Sequence, residues 1–261
     1  MTPLSAVIIT FNEEEHILGC ILSARFVADE IVVVDSFSSD NTKRICLQHG
    51  VRFIEHAFSG YGDQKNFAVG QAMFDHVLNL DADELLSEAL IASILEEKVK
   101  NFRFDAYTMN RLNRYRGQWI RHGAWYPDKK LRLYNRQKGG WSDKLVHENV
   151  EMKTGTSKFH LKGDLKHFAY DSIEQHISKN EKYSSLSAKA LFESGKKTNQ
   201  LKLLLSPFWA FIQSFIIRLG FLDGNNGFII AKNVASLTYL KNAKLLSLQR
   251  TFSSGGARSQ R

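Results

Sequence analysis

The sequence predicts an α/β fold, a doubly wound sheet with helices on both faces. Three observations carry the prediction: near-continuous apolar segments of strand length at Leu4–Thr10, Glu30–Asp35 and residues 77–80, helical patterns between them, and a polar or acidic group wherever an apolar segment stops. In such sheets ligands lie outside the carboxyl ends of the strands. Residues 10–13, 35–40 and 81–84 are therefore the candidate ligand positions.

Leu4–Thr10 reads as a strand covered on both faces. It breaks into Phe11, Asn12 and Glu13, and the acidic residues there suit the start of a helix running through Ile17, Ile21 and Leu22 to Phe26. Glu30–Asp35 is a second buried strand closing on an aspartate, and the polar turn 36–41 leads into a helix over 42–49. The βαβ succession continues with a short strand over 51–53, a loop carrying Gly60, Gly62, Gln64, Lys65 and Asn66, and a helix to about residue 74. It closes on the strand that ends in Asp81, Ala82, Asp83 and Glu84. After a helix over 88–98, residues 107–115 and 130–134 alternate as half-exposed strands. With the aromatic and basic segment 119–128 between them, they are expected to form a β-rich extension over the strand-end crevice.

Alternation along an extended chain sends Asp81 and Asp83 to one side, a seat for a hard divalent cation. Mg²⁺ or Mn²⁺ takes one or two carboxylates plus the phosphates of a substrate. Asp-x-Asp alone is equally what a solvated turn looks like. Asp35 either accepts a hydrogen bond from a base or ribose, or caps the turn after it. Trp119, Trp125 and Trp141 either stack on sugar or anchor the core, while His122 and His167 read as structural.

With 261 residues, 43% hydrophobic and 24% charged, the chain is long enough to bury a sizeable core. Its net charge of +8 and pI near 9.4 point to anionic partners without choosing among nucleotide, nucleic acid and acidic membrane. Cys20 and Cys46 show no metal-ligand spacing and are expected as reduced, buried thiols in a cytosolic setting. The N-terminal residues lack the pattern of a signal peptide. No GxGxxG follows the first strand and no GxxxxGK[ST] occurs, which argues against dinucleotide redox chemistry and Walker-type phosphate binding.

Residues 171–192 read as a polar helix. Residues 201–222 are the most apolar stretch, but Lys202, Gln213 and Arg218 interrupt it and Pro207 would kink it. Its longest charge-free run, 15 residues at 203–217, is short of the roughly 20 that span a bilayer. The stretch is expected either to lie in a membrane interface, held to anionic lipid by Lys232, Lys241, Lys244, Arg250, Arg258 and Arg261, or to pack as a buried hairpin with residues 229–248.

Thr10-Phe11-Asn12-Glu13, Val33-Val34-Asp35-Ser36, Gln64-Lys65-Asn66, Leu80-Asp81-Ala82-Asp83-Glu84, Arg132-Leu133-Tyr134 and Val146-His147-Glu148 occur in an order that resembles family 2 glycosyltransferases of the GT-A fold. The resemblance covers about residues 1–170. Within that family, Trp125-Tyr126-Pro127-Asp128 and the turn Gly220-Phe221-Leu222-Asp223-Gly224 are similar to bacterial lipopolysaccharide inner-core β-glucosyltransferases. The resemblance implies a Rossmann-like mixed sheet over 1–170, with 1–100 as donor half and 101–170 as β-rich acceptor half. Amphipathic helices would follow over 171–252, and a flexible tail over 253–261.

It further implies that Thr10, Phe11, Asn12, Glu13, Asp35, Ser36, Gln64, Lys65, Asn66, Asp81 and Ala82 bind the nucleotide-sugar. Asp83, with Asp81 and His147, would hold the metal, and Trp125, Tyr126 and Arg132 would meet the acceptor. The family inverts the anomeric centre and needs a base, which many relatives carry in a Glu-Asp pair. This chain lacks that pair, and His147-Glu148 stands in the comparable place. Glu148 is the expected base, Asp128 its rival, and His147 a metal ligand or a group that orients the acceptor; Glu148 as a mere partner of Arg132 is the alternative.

The expected protein is thus a metal-dependent hexosyltransferase taking a UDP-sugar, glucose first among them, to a heptose of the lipopolysaccharide inner core. It would work on a lipid-linked acceptor at the inner, anionic face of the cytoplasmic membrane, without nucleic acid. The competing readings are a family 2 transferase acting on a polyprenyl phosphate, capsule or glycoprotein, and a non-catalytic nucleotide- or membrane-binding protein.

Overall fold

The computed structural model describes residues 1–142 and 149–256. The elements run β1 (Leu4–Thr10), α1 (Ile17–Arg25), β2 (Glu30–Asp35), α2 (Thr42–Gln48), β3 (Arg52–Glu55), α3 (Tyr61–Gly70), β4 (His76–Asp81), β5 (Glu84–Leu86), α4 (Glu88–Val99), β6 (Ala106–Tyr115), β7 (Gln118–Trp119) and β8 (Asp128–Asn135). After them come β9 (Gly139–Trp141), β10 (Val150–Met152), β11 (Lys158–Tyr170), α5 (Ile173–Glu193), α6 (Gln200–Ile212) and α7 (Gly224–Gly256). The chain divides into two compact units: Met1–Leu112 with Asp128–Phe168, and Asn113–Pro127 with the chain from Ala169 on.

In the first unit the sheet order begins β3-β2-β1-β4 and continues β8-β6-β11-β5. β1 lies between β2 and β4 and parallel to both, so that Ile9 is level with Val34 on one side and with Asp81 on the other. The carboxyl ends of all three strands therefore come together at the point where the winding reverses, the usual ligand crevice of such sheets. Successive residues go to opposite faces: Ala6, Ile8, Leu78 and Leu80 pack with Ile21, Leu90 and Ile94 on one side. Val7, Val32, Val34 and Val77 pack with Ala68, Tyr134 and Trp141 on the other. Burial on both faces is why these strands read as unbroken apolar runs.

The half-exposed strands of the middle third are not a layer over the crevice. β8 pairs antiparallel with β4, and β6 with β8, so they extend the main sheet and cover an edge that β4, with Val77, Leu78 and Leu80 buried, could not leave open. The sequence pattern marked none of β5, β7, β9, β10 and β11. Along β11 only Leu161 and Leu165 are buried, so no alternation marks it. Cys20 and Cys46 are free and buried, and burial first, with Asp35 beside it, pushes the Cys46 thiol up to about 12.

In the second unit α7 packs on both α5 and α6. Ser172 and Asn199 cap α5 and α6 by accepting the Gln175 and Lys202 N–H groups. α6 carries Pro207 inside it and passes into a π-helical turn at Gln213–Ile217, so the long apolar stretch is broken into a helix and turns. His176 is buried in an aromatic cluster, stacked 4.7 Å from Tyr170 and edge-on 5.4 Å from Tyr115, with the Asn233 amide donating to its Nδ1 at 2.8 Å.

Burial, helped by the Lys179 charge, pushes the His176 ring down to about 4. The unfolded chain then takes a proton at His176 below about 6.5 that the folded chain refuses, so stability is lost as pH falls from 6.5 towards 4, by about 3 kcal/mol in the limit. The urea midpoint of the wild type should fall between about pH 7 and pH 4.5 by more than that of His176→Gln. Equal pH slopes would place the titration elsewhere.

Candidate active site

β1 ends at Thr10, whose Oγ1 is buried without a hydrogen-bond partner. Asn12, at φ 52°, accepts the Ser39 N–H on Oδ1 at 2.8 Å and donates its own N–H to Ser38 Oγ at 2.8 Å. The Glu13 N–H goes to Thr42 Oγ1 at 2.9 Å. Asp35 has no exposed surface and accepts both the Ser38 N–H, at 2.7 Å, and the Ser38 hydroxyl. It caps the turn after β2, and the loops following β1 and β2 are thereby tied into one wall. Gln64 reaches the same wall, donating to Ser36 Oγ at 3.1 Å and facing His56 Nδ1 at 2.9 Å, while Phe11 stands exposed at its rim. Asn66 turns elsewhere: its amide closes on the backbone N–H and C=O of Trp141, each at 2.9 Å.

Ala82 and Asp83 form a turn between β4 and β5. The alternation that would send Asp81 and Asp83 to one side therefore stops at Asp81, and the two carboxylates have different surroundings. Ala82 is buried, with its N–H on the Ile9 carbonyl at 3.1 Å. Asp81 meets Lys65 Nζ at 3.0 Å and Arg132 Nη2 at 2.8 Å. Burial works to raise its carboxyl, but the Arg132 and Lys65 charges hold it well below the usual carboxylate range. Arg132, itself buried, also donates to Glu84 Oε1 at 2.7 Å, and Glu84 has no exposed surface. The Trp141 ring lies 4.5 Å from Lys65 Nζ and 5.5 Å from the Arg132 guanidinium, and its Nε1–H donates to Asn79 at 2.9 Å.

Asp83 faces a histidine instead. β11 pairs antiparallel with β5 so that His167 is level with Glu84, and His167 Nε2 lies 3.3 Å from Asp83 Oδ2. The Phe168 N–H on the Asp83 carbonyl at 3.0 Å fixes the turn against β11. A carboxylate and an imidazole side by side fit a divalent cation that draws its other ligands from diphosphate and water. Among the described residues no three His, Cys, Asp or Glu side chains gather to hold a metal by themselves. His167 reads as structural in the sequence, because the only signal of its place beside Asp83 is the pairing of two strands that no pattern marked.

The other expected residues are placed as follows. Asp128 opens β8 with Oδ2 2.9 Å from Arg111 and Oδ1 3.0 Å from Lys130. Arg132, expected at the acceptor, is enclosed by Asp81 and Glu84. Trp125 and Tyr126 belong to the second unit, where the Trp125 ring stacks on Tyr170 at 5.7 Å and meets Tyr115 edge-on at 5.4 Å. His147 and Glu148 lie outside the described residues.

The family model described as glycosyl transferase family 2 matches residues 5–162, more than half of the chain, and the chain belongs to that family. With this membership, the mixed sheet and C-terminal helices make the fold GT-A and the protein a transferase. Along nearly its whole length it is similar to particular relatives. It is 34% identical to an uncharacterized glycosyltransferase of Rickettsia typhi, over 95% of this chain and 88% of that one. It is 32% identical to LpsC, the lipopolysaccharide core biosynthesis glycosyltransferase of Rhizobium meliloti, over 93% of this chain and 92% of that one. Among solved structures, S. aureus TarS in complex with UDP aligns at 16% identity and TM-score 0.48, over 97% of this chain and 92% of that one.

Arg132→Ala would leave the fully buried Glu84 without its 2.7 Å partner. A loss of about 3–5 kcal/mol is expected, read as a fall in the thermal or urea midpoint. A shift below about 1 kcal/mol would mean that Arg111, 3.8 Å from Glu84, replaces it.

Proposed function

We propose that this transferase moves a hexose, glucose first among the candidates, from a UDP-sugar to a heptose of a lipopolysaccharide inner core, with inversion at the anomeric carbon. The observation that carries the reading is the Asp83–His167 pair at the end of β4, beside the wall made by the loops after β1 and β2. The 32% identity to LpsC supports the choice of acceptor. Thr10 Oγ1 and the 10–13 and 35–38 loops would bind the nucleoside. Asp83 and His167 would hold Mg²⁺ or Mn²⁺, whose charge favours departure of the diphosphate. Lys65 and Arg132, oriented by Asp81, add fixed positive charge to the same crevice. Both Asp128 oxygens are already engaged by Arg111 and Lys130, which favours Glu148 as the base.

Calorimetric titration of UDP should give Mn²⁺-dependent binding that EDTA abolishes and that Asp83→Ala and His167→Ala each weaken by at least about tenfold. UDP binding indifferent to metal and to both substitutions would reject the metal site. A panel of UDP-sugars and truncated core acceptors then separates this reaction from transfer to polyprenyl phosphate, capsule or glycoprotein.

We further propose that the second unit rests on the inner, anionic surface of the cytoplasmic membrane. It carries sixteen Lys or Arg against five Asp or Glu, and among residues 200–217 only Ser214 is buried. Leu201, Leu204, Leu205, Phe208 and Trp209 recur at helical spacing on α6 and are all more than half exposed. Residues 200–217 are also long and apolar enough to cross a membrane by length and composition. The protein should pellet with vesicles containing about 30% phosphatidylglycerol and far less with pure phosphatidylcholine. Leu204→Ser with Phe208→Ser should lower binding at least about tenfold without changing UDP affinity. Equal binding to both vesicle types, or none, would reject this placement.

A further inference from the structure

Within the second unit α6 and α7 run antiparallel and are fastened along their length. The Asn242 carboxamide of α7 accepts the Thr198 hydroxyl at 3.0 Å and donates to Ser206 Oγ at 3.0 Å, and further along the Phe211 and Phe228 rings meet edge-on at 5.9 Å. Thr198, Lys202 and Ser206 are spaced by four residues, so Lys202 stands one turn from each of the groups that Asn242 holds. Lys241 precedes Asn242 on α7 and is half-buried, while Lys202 is exposed. Burial first, then the Lys202 charge, pushes the Lys241 ammonium below its ordinary range, as two neighbouring cations require.

Two like charges brought together by two packed helices oppose that packing, and nothing nearby offsets them. From Ser194 to the end of the chain there are ten Lys or Arg and one acidic residue, Asp223, which is already engaged by His122 and two backbone N–H groups. Lys244 is taken by Glu181 at 2.5 Å. Among the described residues neither Lys202 nor Lys241 has an acidic partner. Leu205 and Trp209 follow Lys202 by three and seven residues, so they flank it on α6, and both are more than half exposed.

The tie to α7 also decides how α6 can meet a bilayer. If α6 crossed it, the stretch of α7 fastened alongside would enter with it, carrying Lys232, Asn233, Lys241 and Asn242 into hydrocarbon, where such side chains are costly.

We infer that α6 lies along the membrane surface and that Lys202 and Lys241 together seat the headgroup phosphate of an anionic phospholipid, whose acyl chains lie against Leu205 and Trp209. This rests on the proposed membrane placement of the second unit and names the lipid group that it binds. A phosphate between the two ammonium groups supplies the negative charge that the helix pair lacks. An indole beside it sits at the boundary between headgroup and acyl chain, the level at which tryptophan is enriched.

The test compares full-chain wild type, Lys202→Gln, Lys241→Gln and the double variant with Lys182→Gln, which removes one charge from α5. Binding to vesicles with about 30% phosphatidylglycerol should fall at least about tenfold in the double variant, against less than about twofold in Lys182→Gln. Dihexanoyl phosphatidylglycerol below its micelle concentration should raise the thermal midpoint of wild type but not of the double variant, and inorganic phosphate at the same concentration should move neither. Without lipid, the double variant should melt at or above wild type, since a repulsion has been removed. Vesicle binding of the double variant equal to that of Lys182→Gln overturns the inference and leaves the membrane placement standing. A midpoint raised equally by inorganic phosphate makes this a seat for a free anion and overturns the lipid assignment. A lipid-free midpoint well below wild type means that the two ammonium groups are satisfied within the protein, which also overturns it. Wild type that binds no vesicle overturns the placement and the inference together.

Discussion

One buried guanidinium sets the geometry on which the crevice at the strand ends depends. Arg132 comes from β8, Asp81 ends β4 and Glu84 begins β5, and the three side chains meet at 2.7 and 2.8 Å. Removing an arginine and two carboxylates from water costs several kcal/mol per ion, and only a close, well-directed arrangement offsets it. The arrangement here also closes on the backbone, since Glu84 Oε2 accepts the Asp81 N–H at 3.1 Å. The two-residue turn between Asp81 and Glu84 is therefore fixed at both ends, and Asp83 is held where β11 passes.

The second unit solves a different problem. Its helices bury polar groups that find one another: Asn180 donates to the Asn233 carbonyl, Asn233 to His176, and Asn242 to Ser206 and the Thr238 carbonyl. Such pairs give little net stability, but an unpaired buried amide is costly, so they select one packing of α5, α6 and α7 over its neighbours in register. α6 contributes no buried residue to that packing.

Much of the first hundred residues was legible because parallel strands buried on both faces leave an apolar signature and stop at polar residues. Leu4–Thr10 and Glu30–Asp35 are found where the pattern put them, and Asp35 is the turn cap that was one of its two readings. What the sequence hid depends on partners distant in the chain. β11 carries only two buried residues in thirteen, so nothing local marks it as a strand, and His167 gains its place only through pairing with β5. Asn66 was expected at the nucleotide through the resemblance carried by Gln64-Lys65-Asn66, yet α3 turns it onto the backbone of Trp141, seventy-five residues away. The middle strands were recognised by alternation, but alternation cannot say which sheet edge a strand joins.

The two aspartates of the Asp-x-Asp motif divide the work by environment rather than by position. Asp81 is level with Ile9 in the sheet register, between Lys65 and Arg132, and is held ionised by charges that never leave it. A carboxylate so paired has little left to offer a cation, since each new ligand bond would have to displace an ion pair already desolvated. Its effect is to hold the Lys65 and Arg132 cations together at the end of β4. Asp83 stands in the turn with the His167 imidazole 3.3 Å away and, among the described residues, no arginine or lysine within ion-pair distance. The one-residue spacing that made the two look equivalent is broken by the turn that separates them.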